Sequence, residues 1–539
     1  MRKITNVVSS VLRNYRYNDK ADPFHEFKKL REHEVIPTPT KGNILILPIR
    51  VAPVSNLFEG IYGYALKLRG YEAHVLLCNQ ALDKCDNIIS ANIVKSSLHC
   101  SLCLNEQGKF TEAFSLIPHS YQSLVTQTVL KELKSLSNSL KISELLDLEY
   151  DGFAIGLHIQ SAVMRHFLLA TIDEIKYERI IREYAFSCLF SYEATKALIA
   201  KINPKFVLTS HGVYSTWGPA LDACKKMGIT SFVWARGYVG GNIIVSKNES
   251  YLKEAIFEPN KHWDEYNLTS CEKLNIKNYF SSKRNVNSKV DHVNYYDYIA
   301  DKDQGSFVNK LPANNKNNNF ALFPNIPWDG TSFSSSKTFP SMEIFFKSTI
   351  DWFKNHQEFN LIIRAHPAEL VEPEAERVRD VIKRLYTELP SNVYFIDADS
   401  AITSYEVERI SKVCLMYAST MSLELAYTGK TVIQTGQTIT SNKGIVFEPK
   451  SVEEYKDMLL QAAEDKLRMT EKMQERAEKY AYHWIYRRHI PDNTYEHKGL
   501  TFTKFNLNSS MDLAPGKNKV VDWFLDRCED GQPFIWTEK

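Results

Sequence analysis

The segment LIIRAHPAE brings a guanidinium and an imidazole together where an apolar run gives way to a loop. The apolar run indicates a buried strand, which places Arg364 and His366 at its carboxyl end, and Pro367 stiffens the loop. In an open α/β sheet, side chains at that end face the ligand crevice. A guanidinium can bind a phosphate through two N–H groups, and an imidazole adds a donor whose charge changes near neutral pH. We therefore predict a phosphate contact, the alternative being a structural strand end with a surface arginine.

A second candidate site lies in the segment YASTMSLELAYTGKTVI. Its pattern predicts a strand that ends at Tyr417 and a helix that opens at Ser419 and Thr420. The unpaired N–H groups at the start of such a helix favour an anion such as a diphosphate. Glu424 follows Thr420 by one helical turn, about 5–6 Å along the same face, which suits the ribose of a nucleotide. The alternative is an ordinary helix cap with an exposed glutamate.

Three further loops follow predicted strands and carry polar or aromatic side chains. In ALFPNIPWDGTSF the candidates are Asn325, Trp328 and Asp329, in a loop that we expect to face a cleft between two domains. In TSHGVYSTWG the candidate is His211, predicted to be a general base, with a packed or capping histidine as the alternative. In WARGYVGG, Arg236 is predicted to line the same cleft.

Four of the nine cysteines are close in sequence, namely Cys78, Cys85, Cys100 and Cys103. The last two form a C-x2-C pair, which is half of a tetrahedral zinc site. The spacing of the first two does not match a common zinc ribbon. We therefore predict buried free thiols and no metal site, and keep a structural zinc ion as the alternative.

The elements that must position these side chains alternate between continuous apolar strands and helices, which is typical of parallel sheets covered on both faces. The predicted strands are GNILILPIR, YEAHVLLC, PKFVLTS, ITSFVWA, FALFPN, FNLIIRAHP, NVYFID, KVCLMYAS, KTVIQTG and GIVFEP. This order predicts an α/β fold with two doubly wound, Rossmann-like domains and an interdomain ligand cleft at the carboxyl ends of the strands.

Shifts in composition mark the predicted domain boundaries. Residues 1–40 are polar and are predicted to form an N-terminal helical arm, and residues 41–285 are predicted to form the first α/β domain. Residues 286–319, rich in Asn, Lys and Asp, form a linker. Residues 320–490 form the second domain, and residues 491–539 a tail that packs back on the first domain.

A long helix is predicted to open at Ser451, because Glu454 three residues later completes a capping-box pattern. It runs towards the basic and aromatic segment YAYHWIYRRHIP. There Trp484, Arg487 and Arg488 could contact membrane lipid or a lipid-linked acceptor. We favour the other interpretation, in which this helix end packs on the first domain.

Composition excludes several classes of protein. The chain has 539 residues, 44% of them hydrophobic and 24% charged, which is a globular profile. Its net charge of +2 gives no field that would recruit nucleic acid. No apolar run approaches the roughly 20 residues of a membrane span, and the N-terminus lacks the apolar core of a signal peptide. We expect a cytoplasmic protein, with peripheral contact at the inner face of the membrane left open.

The sequence also lacks several catalytic motifs. It contains no Walker-type G-x-x-x-x-G-K-[ST], and no G-x-G-x-x-G follows the first predicted strand. The second absence argues against a Rossmann dinucleotide oxidoreductase. Neither H-E-x-x-H nor G-x-S-x-G occurs.

The order of the motifs LFPNIPWD, RAHPAE, YASTMSLELAYTGKTVI, NKGIVFE and YAYHWIYRRHIP resembles bacterial capsular and surface polysaccharide biosynthesis glycosyltransferases of GT-B architecture, including the capsule-type Kdo transferases. The resemblance covers Phe320–Pro491 and is looser over Gly42–Gly241. The sequence departs from the pattern at Pro327, inside a loop, and in TGQTITSNKG, which has no aromatic residue.

The resemblance implies that the second domain binds the nucleotide part of an activated sugar and that the first domain holds the acceptor. The implied nucleotide-binding residues are Asn325, Arg364, His366, Ser419, Thr420, Glu424 and, in the turn Gly436–Gly444, Lys443. The catalytic base is fixed less well, with His211 and Glu59 as candidates.

The implied activity is transfer of a hexosyl- or Kdo-type sugar from a nucleotide sugar to a saccharide or a lipid-linked saccharide. Donor groups stabilise the leaving phosphate, so the mechanism needs neither metal nor other cofactor. Three alternatives stay open. They are a GT-B-fold nucleotide-sugar 2-epimerase, a polyol-phosphate transferase of the teichoic type and a non-catalytic partner that binds polysaccharide intermediates.

Overall fold

The computed structural model describes residues 22–31, 36–86, 97–285, 290–291, 295–299, 318–328, 336, 338–372, 375–498 and 501–537. Asp329, most of the predicted linker and residues 1–21 of the predicted arm lie outside these ranges.

The first half of the chain supplies six strands and the helices that cover them. In chain order these are α1 (Pro23–Leu30), β1 (Asn43–Ile49), α2 (Leu57–Leu68), β2 (Glu72–Leu77), α3 (Ser97–Ala113), β3 (Ile117–Ser120), α4 (Tyr121–Leu124), α5 (Gln127–Ser139), α6 (Ile142–Leu146), α7 (Ile155–Phe167), α8 (Glu178–Ile202), β4 (Val207–Ser210), α9 (Tyr214–Lys226), β5 (Ser231–Arg236) and β6 (Asn242–Lys247).

The second half supplies the other eight strands. In chain order the elements are α10 (Tyr251–Phe257), α11 (Ser270–Lys283), β7 (Asn319–Phe323), α12 (Met342–Lys354), β8 (Asn360–Arg364), α13 (Val378–Leu385), β9 (Val393–Ile396), α14 (Ser404–Arg409), β10 (Val413–Met416), α15 (Met421–Tyr427), β11 (Thr431–Gln434), α16 (Val452–Ala463), α17 (Glu471–Tyr482), β12 (Ile490–Pro491), β13 (Tyr495–Lys498), β14 (Thr501–Phe505) and α18 (Lys519–Asp530). Among the described helices, none combines the length and the apolar character of a membrane-spanning segment.

Each domain is built on a sheet whose central strands are parallel and whose strand order reverses beside its first strand; in the first sheet β6 pairs antiparallel with β5. The first sheet has the order β12-β6-β5-β4-β1-β2-β3, and β1 pairs in parallel with both β2 and β4. The second has the order β11-β10-β7-β8-β9, and β7 pairs in parallel with both β8 and β10. Strands such as NILILPI are buried along almost their whole length, as a sheet covered on both faces requires. The predicted fold class, two doubly wound α/β domains, is confirmed.

The segment after β6 packs with the second domain, although the predicted boundary at residue 285 assigns it to the first. The Trp263 ring contacts the Tyr480 ring of α17 with centroids 5.0 Å apart. Phe280 of α11 lies against Tyr427, at 4.6 Å. These aromatic contacts join Trp263 and α11 to the core of the second sheet.

The chain returns to the first domain after α17. Strand β12 pairs antiparallel with β6, and Phe524 of α18 packs on the Phe58 ring at 5.4 Å. Arg69 of α2 binds Asp522 and Asp526 of α18, each at 2.7 Å. The last described residues therefore complete the core of the first domain.

The basic and aromatic segment at the end of α17 is buried between the domains, which contradicts the alternative of lipid contact. Trp484 is 3% exposed and Arg488 1% exposed. Arg488 donates to the carbonyls of Val245 and Phe534 and to the Glu254 carboxylate. Arg487 is half-buried and donates to the His262 carbonyl. Groups held in this way cannot face a membrane.

Two local predictions were wrong. The long helix predicted from Ser451 is two helices, because the chain turns at Asp465, whose φ is +61°, before α17 begins. Ser451 accepts from the N–H of Glu454, but the Glu454 carboxylate accepts from the N–H of Lys450, so the capping box is half formed. The segment GIVFEP contributes one isolated bridge, from Phe447 to β11, and no strand.

We expect the substitution Gly60→Ala to destabilise the protein. A Cβ atom at Gly60, in α2, would overlap the buried Phe114 ring. Overpacking of this kind costs about 1–3 kcal/mol. The matched control is Gly108→Ala, because Gly108 lies on the exposed side of α3 with nothing within 4 Å of an added Cβ. There the gain in helix propensity, up to about 1 kcal/mol, should stabilise the helix. Urea unfolding that shifts both midpoints in the same direction would contradict this packing.

Candidate functional site

In each sheet we call the place where the strand order reverses the switch point. The candidate site lies where the switch points of the two sheets face each other. Arg50 follows β1 and His211 follows β4, while Asn325 follows β7 and Ser419 lies three residues beyond the end of β10. Side chains from all four loops line one cavity of about 450 Å³. A second cavity, of about 380 Å³, adjoins it. Ligands of doubly wound sheets bind at such reversals of strand order, which makes this cleft the candidate site.

The two cavities differ in character. We call the first the arginine half, because Arg50 and Arg165 line it together with His211 and Trp217. We call the second the aromatic half, and its lining includes Phe323, Tyr295, Tyr296, Tyr405 and Glu424. Both share a boundary that we call the junction, formed by His366, Ser419 and Thr420. The cleft therefore brings His211, Asn325, His366, Ser419, Thr420 and Glu424 together, as the sequence predicted for the site residues of both domains.

His366 is held as a neutral hydrogen-bond donor. Its Nδ1 accepts from the N–H of Ala368 at 3.0 Å, so the proton of the neutral ring is on Nε2. Burial lowers the pKa of His366 to about 4, and the positive charges of Arg364 and Lys283 add to the effect. At neutral pH the ring offers an Nε2–H group at the junction.

Arg364 has a structural role, which contradicts the predicted phosphate contact. Its side chain is 1% exposed. The guanidinium donates to the carbonyls of Ile402, Asp397 and Ser400, at 2.7, 2.7 and 3.2 Å, and to its own neighbour Ala365. These bonds fix the loop after β9 against the end of β8 and use four of the five guanidinium N–H groups, although Arg364 also lines the second cavity.

Asn325 ties the two loops of the second switch point together. Its Nδ2 donates to the carbonyl of Ala418, and its Oδ1 accepts from the N–H of the same residue at 2.8 Å. The side-chain amide therefore makes a donor and an acceptor hydrogen bond to one backbone residue, as a paired strand would, just beyond the ends of β7 and β10. We interpret Asn325 as a residue that positions Ser419.

Ser419 and Thr420 stand half-buried at the junction, ahead of α15. The Ser419 hydroxyl accepts from the N–H of Met421 at 3.3 Å. Beneath them Ser422 bonds Thr440, which donates to Gln434, both at 2.7 Å. Because α15 has only seven residues, a ligand here would be held by the hydroxyl and N–H groups rather than by a helix field.

Glu424 is part of a buried ion-pair network on the wall of the aromatic half. Its carboxylate lies 2.6 Å from the Lys283 amine and accepts from the Tyr405 hydroxyl at 3.2 Å. Lys283 also contacts Asp291 at 3.1 Å. Burial alone would lower the pKa of Lys283, but the charges of Glu424 and Asp291 outweigh it and raise that pKa. These contacts hold the Glu424 carboxylate in a fixed orientation.

His211 sits in a strained loop of the first domain. His211 and Tyr214 have φ values of +56° and +66°, in the left-handed region that L-residues rarely adopt. The His211 N–H donates to the carbonyl of Trp234, and its ring stacks on Trp217 with centroids 5.0 Å apart. Strain of this kind persists where surrounding contacts over-determine the loop, and it is common at functional sites.

The His211 side chain is exposed to water inside the cleft, and the other residues that line the cavity surround it. This enclosure lowers the pKa of His211, and the positive charges of Arg50, Arg236 and Arg165 lower it further. The imidazole is therefore unprotonated at neutral pH, the form that a general base requires.

Two other predicted residues lie outside the cleft. Glu59 is fully buried and lines neither cavity, which contradicts its candidacy as the acceptor base. Burial raises its pKa to about 7, against the opposing effects of its own N–H group and of Trp234. The Lys443 amine is also buried and donates to the carbonyls of Ile256 and Glu258, so it is not placed to bind a phosphate.

Two more residues were predicted to line the cleft, Arg236 and Trp328, and the structure places them differently. Arg236 lines the aromatic half, as predicted. Trp328 is buried against Leu168 and Ala375, and the guanidinium of Arg165 lies 4.7 Å from its ring centre. Trp328 thus supports the cleft from behind.

The four clustered cysteines line one small cavity behind Arg50. All of them are free thiols, and burial raises the pKa of Cys78 to about 11. Within the described ranges, no group of three or more metal-ligating side chains has an arrangement that could hold an ion. The zinc alternative thus finds no support.

Sequence reasoning missed Arg50, Arg165 and Lys283. Arg50 follows an apolar strand as Arg364 does, so the same signal was present. Arg165 lies within α7 and Lys283 at the end of α11, and neither position carries a local signal of a site.

The sequence matches no protein-family model and no curated protein. Among solved structures, the β-Kdo 2,4 transferase of KpsC from Thermosulfurimonas dismutans is 14% identical over 51% of this chain and 79% of its own, with a TM-score of 0.33. A putative UDP-N-acetylglucosamine 2-epimerase from Listeria monocytogenes is 13% identical over 82% and 94%, with a TM-score of 0.25. A glycosyltransferase from Rickettsia africae is 11% identical over 83% and 93%, also at 0.25. Similarity this low carries no argument about function, and the strand orders establish the fold.

We expect Arg364→Met to destabilise the protein by about 2 kcal/mol or more, because buried carbonyls lose their donors. The matched control is Arg379→Met. Arg379 contacts the carboxylate of Asp397 at 2.8 Å, but its side chain is 36% exposed, so we expect a loss below about 1 kcal/mol. Urea unfolding that gives equal losses would contradict the structural role of Arg364.

We expect the His366 imidazole to stay neutral down to about pH 4. The unfolded chain binds this proton near pH 6.5, so the neutral ring contributes stability that is lost as the pH falls from 6.5 towards 4. Histidine NMR spectra, with the signal assigned through a His366→Gln variant, measure the midpoint. A midpoint near 6.5 would contradict the enclosed, Nε2-protonated ring.

Proposed function

We propose that the protein is a glycosyltransferase that moves a sugar from a nucleotide-activated donor to a saccharide acceptor. The observation that carries the proposal is the convergence of both switch points on one cleft with three chemically distinct parts. The aromatic half suits a nucleoside, the junction suits its phosphates, and the arginine half suits the sugars. The order of the sequence motifs further supports a role in surface polysaccharide assembly.

The nucleoside binds in the aromatic half. Tyr295 and Tyr405 offer ring surface to a base, and such contacts are each worth about 1 kcal/mol. Glu424 accepts hydrogen bonds from the ribose hydroxyls, since Lys283 and Tyr405 hold its carboxylate in place.

The phosphates lie at the junction. The Nε2–H of His366 and the hydroxyls of Ser419 and Thr420 donate to the phosphate oxygens. As the bond between the anomeric carbon and the phosphate oxygen breaks, charge builds on that oxygen, and fixed donors stabilise it without reorganising. This mechanism needs no metal ion.

The acceptor binds on the side of the first domain. Its hydroxyl oxygen attacks the anomeric carbon as the nucleotide leaves with the bonding electrons. The hydroxyl proton passes to the unprotonated imidazole of His211, which acts as general base. The strained loop holds that ring in the lining of the arginine half, the cavity that His366, Ser419 and Thr420 also line.

We expect His366→Ala to reduce transfer about 100-fold or more, the usual cost of losing one fixed donor at a developing charge. We expect Glu424→Gln to weaken nucleotide binding about tenfold or more, because a charged acceptor of hydrogen bonds is lost. The measurements are turnover with candidate nucleotide sugars and calorimetric titration with CMP, CDP, UDP and GDP.

The matched control is His356→Ala. His356 belongs to the same domain but stacks on Trp352 away from the cleft, so its loss should leave both measurements unchanged. Wild-type turnover in His366→Ala, or specific binding of none of the four nucleotides, would overturn the proposal. Conversion of a nucleotide sugar without any acceptor would indicate an epimerase instead.

A further inference from the structure

We propose that Gln437 is a specificity-determining residue, which recognises the transferred sugar through hydrogen bonds to its hydroxyl groups. This inference rests on the proposed function and adds to it a contact that selects one nucleotide sugar over another. Gln437 lies in the loop after β11, three residues beyond the end of that strand.

The Gln437 side chain lines the arginine half of the cleft but not the aromatic half. It is half-buried, and its amide makes no hydrogen bond to any residue that the structure describes. Asn325, the other side-chain amide of the same described lining, uses both ends of its amide on the backbone of Ala418. An amide has one acceptor oxygen and two N–H donors, which match sugar hydroxyls, since each hydroxyl both donates and accepts. The Gln437 amide is therefore free to bind a sugar.

The backbone on both sides of Gln437 is fixed. The N–H of Gly436 donates to the carbonyl of Tyr417 at 2.5 Å, and an added Cβ at Gly436 would lie 2.6 Å from that carbonyl oxygen. On the other side, the N–H of Thr438 donates to the Ser441 hydroxyl at 3.1 Å. A loop that is fixed before binding loses less conformational freedom when the ligand arrives.

Gln437 is also close to the place that the proposed function gives to the phosphates. Strand β11 pairs in parallel with β10, so the loops that follow the two strands lie side by side. Gly436 contacts Tyr417, and Ser419, two residues further along, belongs to the junction. The sugar of a donor is bonded directly to a phosphate. With the nucleoside in the aromatic half and the phosphates at the junction, this sugar enters the arginine half beside Gln437.

An amide in this position discriminates between sugars. A sugar with hydroxyls in the matching positions replaces the water on the Gln437 amide with new hydrogen bonds. A sugar that lacks one of these hydroxyls, or has it inverted, removes the water without replacing the bond, and an enclosed polar group left unpaired is costly.

Calorimetric titration of the whole chain tests the inference. The probes are four nucleotide sugars, namely UDP-glucose, UDP-N-acetylglucosamine, GDP-mannose and CMP-N-acetylneuraminate, together with the bare nucleotides UDP, GDP and CMP. Comparison of each nucleotide sugar with its own nucleotide separates the contacts to the sugar from those to the nucleotide.

The variant is Gln437→Met, which keeps the length of the side chain and removes its donors and its acceptor. We expect it to weaken the binding of at least one nucleotide sugar about tenfold, because neutral hydrogen bonds are lost, and to change the affinity for the bare nucleotide less than twofold. The matched control is Gln461→Met. Gln461 bonds Asp457 on α16 at 2.6 Å, outside the cleft, so its loss should leave every affinity unchanged. Thermal melting shows whether each variant is folded.

A tenfold loss confined to nucleotide sugars supports the inference, and the sugar that is affected identifies the preferred donor. Wild-type affinity of Gln437→Met for every nucleotide sugar that the unaltered protein binds would overturn the inference but not the proposed function. An equal loss for a nucleotide sugar and its bare nucleotide would overturn it too, because Gln437 would then contact the nucleotide. If the unaltered protein bound none of these ligands, the proposed function would fail and the inference with it.

Discussion

The reversal of strand order beside β1 and beside β7 is the constraint on which the rest of the structure depends. Helices that leave a parallel sheet on opposite sides of a reversal cannot both cover the ends of the two central strands, so a crevice opens there. The chain has two such sheets, with the crevices face to face. Of the groups that we assign to the reaction, His211 follows β4, Ser419 and Thr420 follow β10, and His366 follows β8, which neighbours β7 in the second sheet.

Desolvation decides which basic side chains are structural and which face the cleft. Three basic side chains are almost fully buried and donate hydrogen bonds to backbone carbonyls, namely those of Arg364, Lys443 and Arg488. A carbonyl oxygen carries a partial negative charge that does not change with pH. A buried cation without such partners would cost several kcal/mol. Arg50 and Arg165 instead stack on indoles, a contact that leaves the guanidinium beside the water of the cleft. The type of residue alone does not separate these two uses.

Much of the fold could be predicted from sequence because buried parallel strands are continuous apolar runs bounded by turns. Strands of other kinds were missed. IPHS of β3 has one apolar residue, NIIVSK of β6 is an antiparallel strand after a glycine pair, and β12 has only two residues. The site was predicted where residues directly follow a strand, as with His366 and Ser419. It was not predicted at Arg165 and Lys283, because only tertiary packing brings those helical positions to the cleft. Arg364 was placed correctly, but its partners, the carbonyls of a distant loop, leave no trace in the local sequence.

The return of the chain to the first domain bears on how the protein is made. A ribosome releases β1 and α2 hundreds of residues before Phe524 of α18, yet these segments share one core. The second domain, from β7 to α17, has all of its strands available earlier. During synthesis the usual order, in which the N-terminal domain folds first, cannot run to completion here. The apolar surface of α2 that packs on α18 therefore has no such partner until α18 has been synthesised.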